Sequence, residues 1–170
     1  MDTNAKVQYL DNFETHYKYD ARYLRDLLET SEEGFDKFNA FMPMSTHKQA
    51  LSTEAFWVAK LSAMRAEDCG SCLQLNIRMA LESGVSKPII ESVLYSKETL
   101  PTELKRVYDF ATSIALNENL SSTDQTAIDE ALTKSEKIEI GLCVAAARVF
   151  PTLKRAAGYS KACNLMEFEV

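Results

Sequence analysis

Glycine and proline are scarce in this chain, at five and four residues of 170. Few helix breakers beside many Ala, Leu, Glu and Lys residues favour helix over sheet. No run alternates apolar and polar residues at every second position, so no strand is expected. Clustered cations are missing as well. The formal net charge is −6 and the basic residues are scattered, with Lys154-Arg155 the densest pair late in the chain. That balance argues against a nucleic-acid partner, because phosphate binding needs gathered Lys and Arg. The start, Met1-Asp-Thr-Asn-Ala-Lys-Val-Gln, has no apolar core of the signal-peptide kind. The longest apolar run, Ile138 to Val149, is interrupted by Glu139 and Arg148. It falls well short of the roughly 20 residues needed to span a bilayer. The expectation is a cytoplasmic protein without a membrane partner, in a compartment where thiols stay reduced unless their chemistry is transient and catalytic.

What is present reads as a globular helical protein. Hydrophobic residues make up 46% and charged residues 26%, which is ordinary for a soluble fold. The length fits one domain over residues 1–170 that buries roughly 70% of its unfolded surface without disulfide staples. Phe13, Tyr17, Tyr23, Leu24, Leu27 and Leu28 lie at helical spacings, with Asp20 as an N-cap inside that stretch. A short helix is predicted from about Glu32 to Phe41, ending before Pro43, and Phe41 to Ala50 reads as the clearest loop. Ser52 or Thr53 caps a helix carrying Phe56 and Trp57. A further helix runs from about Cys69 to Ser83 with Gly84 after it, and Ser86 and Pro101 open the next two. Ser122 with Gln125, and Thr133 with Glu136, read as capping boxes. Pro151 is expected to kink or break the apolar helix that begins near Ile138, and Gly158 ends the stretch after it. A weak internal echo joins Arg78–Ser86 and Arg155–Ser160 but is too slight to define a repeat.

Chemistry is arguable at one place, Arg65-Ala-Glu-Asp-Cys-Gly-Ser-Cys-Leu-Gln-Leu-Asn76. Cys69 and Cys72 are two of only four cysteines. With Asp68 as N-cap, Cys69 would be the first helical residue and Cys72 would sit one turn in. Residues three apart on a helix share a face with Cβ atoms roughly 5–6 Å apart, within adjustment of disulfide geometry. The free N–H groups and positive dipole end of the helix stabilise a thiolate there. The negative Glu67 and Asp68 oppose it, although Glu67 could itself take the thiol proton as a base. A metal half-site and inert thiols stay open as readings. With only His16 and His47, the chain offers no second ligand pair nearby for a four-ligand zinc site. Cys143, in Leu142-Cys-Val-Ala-Ala, reads as core, and Cys163 as a surface thiol or resolving partner. The two histidines read as solvated or capping residues, Phe56 and Trp57 as core, and Glu32-Glu33 with Glu167 and Glu169 as solvated surface.

Acidic residue, Cys-x-x-Cys, helix and Gly84-Val85, preceded by another helix, resemble the carboxymuconolactone decarboxylase family and its alkylhydroperoxidase D-like branch. The resemblance covers about residues 53–93 well and the helical remainder loosely. It implies an all-α, alkylhydroperoxidase D-like helical bundle with the Cys-x-x-Cys at a helix N-terminus, assembled as a homo-oligomer. It also implies an antioxidant peroxidase in which Cys69 and Cys72 reduce a hydroperoxide and cycle through a disulfide. A thioredoxin-like or lipoyl-linked reductant would restore the thiols, without a bound cofactor or metal.

The chain departs from the family pattern at three places. Ser71 and Asn76 stand where the pattern has histidines, and Trp57 stands where it has the relay glutamate. Asn76 hydrogen-bonds but relays no proton near neutral pH. The proton relay is therefore absent as a set, and Glu54 lies roughly 20 Å along its helix from the cysteines. The reading is a thiol-dependent peroxidase or disulfide oxidoreductase acting on a hydroperoxide or disulfide substrate. Cys69 would be the more exposed thiol, Cys72 its partner, Glu67 the base, and Asn76 a hydrogen-bonding residue near Cys72. Two alternatives are a non-catalytic helical oligomer that keeps the scaffold and a carboxymuconolactone decarboxylase-like enzyme.

Overall fold

The computed structural model describes residues 2–159 and 168–170, and no strand occurs among them. Nine α-helices are described: α1 Thr3–Tyr17, α2 Arg22–Thr30, α3 Glu32–Ser45, α4 Thr53–Ala66, α5 Gly70–Glu82, α6 Lys87–Tyr95, α7 Thr102–Leu116, α8 Ser122–Ala131 and α9 Lys134–Ala156. A 3-10 turn at Lys97–Thr99 joins α6 to α7. The all-α expectation holds. No described helix is long and apolar enough to cross a membrane.

Helix α4 is the axis of the fold. Ser52 caps it by accepting from the Ala55 N–H, and every residue from Ala55 to Met64 is buried. A helix apolar almost all round must be covered on all sides. Here α5, α6, α7 and α9 supply the cover, and the main core gathers Phe56, Leu61, Ile77, Ile90, Val107 and Ile140. Helices α1 to α3 form a second apolar group, Leu10, Tyr19, Tyr23, Leu24, Phe35 and Phe38, which packs onto Leu75 of α5 and Phe150 of α9. Arg78 of α5 fastens the end of α1 by donating to the Tyr17 and Lys18 carbonyls.

Two prolines expected to stop helices lie inside them. Helix α3 continues through Pro43 to Ser45. Its last carbonyls find hydroxyl donors, Ser45 Oγ to Met42 at 2.8 Å and Thr46 Oγ1 to Pro43 at 3.4 Å. The loop therefore shrinks to residues 46–52. Helix α9 likewise runs unbroken through Pro151 to Ala156. A proline inside a helix costs about 3 kcal/mol, and here both flanks are anchored. Ala146, Ala147 and Lys154 are buried and Phe150 packs on Phe38 and Phe41. The other corrections are shifts of one residue. Helix α8 is capped by Ser121, not Ser122, and Ala21 rather than Asp20 precedes α2. Asp20 still accepts from the Arg22 N–H at 3.1 Å. The Thr133–Glu136 capping box is present as expected.

Loop 46–52 is organised by a buried carboxylate. Glu139 of α9 accepts the N–H groups of Gln49, Ala50 and Leu51 at 2.7, 2.8 and 3.0 Å. Burial pushes its pKa up, but the three N–H bonds outweigh burial and hold it below the ordinary value.

Candidate functional site

The corner between α4 and α5 sets the cysteines. Glu67 ends α4, Asp68 takes a left-handed φ of 50°, and Cys69 is the N-cap of α5. Asp68 is thus the turn residue rather than the cap, a role that Asp tolerates better than most side chains. The Cys69 carbonyl accepts the first helical bond from the Leu73 N–H at 2.8 Å. Cys69 therefore lies one position earlier than expected, at the cap, with Cys72 in the first turn. Their Cα atoms are 5.3 Å apart and the sulfurs stand at disulfide distance. The expectation that Cys69 is the more exposed thiol is overturned. Both cysteines are 1% exposed, because α9 and the Tyr19 segment cover the corner.

Glu67 does not face the sulfurs. Its carboxylate accepts from Arg148 Nε at 2.9 Å and Arg155 Nη2 at 3.2 Å, and its carbonyl from Arg155 Nη1 at 3.0 Å. Arg148 and Arg155 lie seven residues apart and so share one face of α9. They clasp the α4–α5 corner between them, which gives Glu67 an architectural partner set instead of a thiol. Asn76 is buried, and its Nδ2 donates to the Cys72 carbonyl at 2.8 Å. It thereby fixes the first turn of α5, reaching the backbone of Cys72 rather than its sulfur.

The groups that do approach the sulfurs are one hydroxyl from within the segment and one from far outside it. Ser71 Oγ lies 3.8 Å from Cys69 Sγ, and the Tyr19 hydroxyl lies 3.8 Å from Cys72 Sγ. Behind both stands Lys154 of α9, with no measurable exposure. Its Nζ donates to Ser71 Oγ at 2.7 Å and sits 4.8 Å from the centroid of the Tyr19 ring and 5.8 Å from that of Tyr23. Aromatic faces are favourable neighbours for a desolvated cation. The Lys154 charge also contributes, after the Arg22 hydrogen bond, to holding the Asp20 carboxyl below its ordinary pKa. Burial pushes the Tyr23 hydroxyl up to about 12, so it stays protonated.

Sequence reasoning missed Lys154 and Tyr19, and read Ser71 only as a lost histidine. One signal was available for Lys154. Ile140, Ala147 and Lys154 recur every seven residues and are all fully buried, so the lysine stands in core phase. Pro151, expected to kink or break the helix, hid that phase.

Beside Cys72 lies a cavity of about 70 Å³ between the α1–α3 group and helices α4, α5 and α9. Trp57 and Asn76 both line it, together with Tyr19, Phe35, Lys60 and Cys72. No group of three or more metal-ligating side chains occurs among the described residues. Cys143 is buried in the main core, where burial pushes its thiol up to about 11. Cys163 and Glu167 lie outside the described residues. His16 is exposed and bonds Glu82, while His47 stands 3.9 Å from Glu139, away from the cysteines. No family model matches the chain, and neither a curated protein nor a solved structure matches it. The family resemblance therefore rests on the Cys-x-x-Cys segment and its flanking helices alone.

Proposed function

We propose that the chain is a thiol-disulfide redox protein, a peroxidase or disulfide oxidoreductase working through Cys69 and Cys72. One observation carries the reading: two hydroxyls each approach one sulfur of a pair at disulfide distance, and a buried lysine donates to one of them and lies over the ring that bears the other. A cation screened from water favours thiolate over thiol. The Ser71 hydroxyl accepts the Lys154 bond on its oxygen and can donate to a Cys69 thiolate, and the Tyr19 hydroxyl stands within reach of Cys72. This arrangement takes the place of the relay that Trp57 and Asn76 do not form. Glu67, occupied by two arginines, has no part in it.

In the reaction with an organic hydroperoxide, the Cys72 thiolate, which borders the cavity, attacks the terminal peroxide oxygen. The O–O bond breaks and the remaining oxygen leaves as an alcohol, taking a proton through the Tyr19 hydroxyl. Cys69 then displaces the oxygen from the Cys72 sulfenic acid as water and forms the disulfide. One hydroperoxide and two thiols give one alcohol, one water and one disulfide. An external dithiol, of the thioredoxin-like or lipoyl-linked kind, supplies the two electrons that restore the pair.

Fully reduced protein mixed with an organic hydroperoxide should lose two thiols and gain a Cys69–Cys72 link by peptide mass mapping. The Cys69→Ser/Cys72→Ser protein should consume no peroxide. Peroxide consumption by that double variant, or no thiol loss in the parent, overturns the reading. A second reading, a non-catalytic pair that locks the helical corner, is favoured by the burial of both cysteines. In that case reduction would lower the melting temperature and small dithiols would reduce the pair only after unfolding.

A further inference from the structure

Lys60 is the one lysine of the cavity wall, and its setting differs from that of Lys154. Burial leaves it 4% exposed, and its Nζ donates to the Ser45 carbonyl at 2.9 Å. The rings of Phe56 and Phe150 stand 6.0 and 5.8 Å away. No carboxylate among the described residues pairs with it. Desolvation pushes its pKa below the ordinary value. An ammonium has three donors, and one carbonyl uses one of them. A charge buried without a counter-charge is costly, so a bound anion would relieve it.

The rest of the wall explains what else the ligand must be. Phe35, Phe38, Trp57 and Met79 make most of it apolar, while Asn39 and Thr46 add neutral polar groups close in sequence to Ser45. An engineered cavity of about 150 Å³ accepts benzene, a ligand of about six heavy atoms. At about 70 Å³, this one suits a whole ligand of about three or four heavy atoms. We propose that the cavity binds an acetate-sized carboxylate, with its methyl group against the aromatic wall and its carboxylate on the Lys60 ammonium. The site does not depend on the redox function of the cysteine pair, since Cys72 supplies only part of its wall.

Trp57 is the chain's only tryptophan and lines the cavity, so its fluorescence reports occupancy directly. The full-length protein is titrated with acetate, with the neutral isostere acetamide and with octanoate. Acetate should give a saturable change, and acetamide should bind at least about tenfold more weakly, the size expected for a charge-assisted contact. Octanoate should bind no more tightly than acetate. In Lys60→Met, acetate binding should fall to the level of acetamide. In Cys69→Ser, which leaves the lining residues of the cavity unchanged, it should stay within about threefold of the parent, whatever becomes of peroxide turnover. Equal binding of acetate and acetamide to the parent protein overturns the proposal without recourse to any variant. So do the absence of saturation, tighter octanoate binding, unchanged binding in a folded Lys60→Met protein, or loss of binding in the Cys69→Ser protein.

Discussion

The Lys154 ammonium donates to Ser71 Oγ at 2.7 Å, across 83 positions of sequence. This bond brings the end of α9 to the first turn of α5 and places a buried charge behind the serine that neighbours Cys69. Replacing Lys154 by Met removes the charge and keeps the apolar stem. The alkylation rate of the reduced pair should then follow a pH profile displaced upward by about one unit, slowing reaction near pH 7 about tenfold. Lys154→Arg should recover part of the shift. Site-resolved iodoacetamide labelling across pH measures both, and an unmoved profile in Lys154→Met would remove the lysine from the chemistry.

Glu67→Gln separates architecture from chemistry. Arg148 and Arg155 are each nearly half exposed, at 46% and 44% of their side chains, so solvent screens the clasp. Its loss should cost about 1 kcal/mol of stability. The pH profile of thiol alkylation should keep its midpoint. Urea unfolding and the same labelling assay give the two readouts, and a displaced profile would return Glu67 to the role of base.

Asp68 tests the corner itself. Its φ of 50° suits Gly and penalises branched side chains. Asp68→Gly should leave the unfolding midpoint close to the parent value. Asp68→Val should destabilise by about 1–2 kcal/mol. Equal effects from the two substitutions would show that the backbone at 68 is not held in the left-handed region.

Glu139 gives the fold a pH limit. Its folded-state pKa lies below the ordinary 4.5, so its stabilising effect is fully present above that value. It fades as pH falls through the lower, folded-state pKa. Glu139→Gln should cost about 1–3 kcal/mol near pH 7. The gap to the parent should narrow below about pH 4. Chemical denaturation at a series of pH values checks the slope, and a constant gap would contradict it.

The helical character was legible because few breakers and capping pairs such as Thr133 with Glu136 act locally. Helix ends at Pro43 and Pro151 were not, since tertiary packing and side-chain hydroxyls outweighed a local penalty. At the site, the cysteine spacing could be read from sequence because three helical positions nearly fix a distance. The exposure of Cys69, the partners of Glu67 and the approach of Tyr19 could not. Each depends on how α1, α2 and α9 fold back over the corner, which no local pattern encodes.

The passage of α9 through Pro151 has one further consequence. A single rod carries Arg148 and Arg155 on one side and Lys154 on the next, so corner clasp and buried charge keep a fixed phase. The Cys-Gly-Ser-Cys segment is therefore only half of a composite device. Moved into another helical protein on its own, it would carry its spacing along but leave its electrostatics behind.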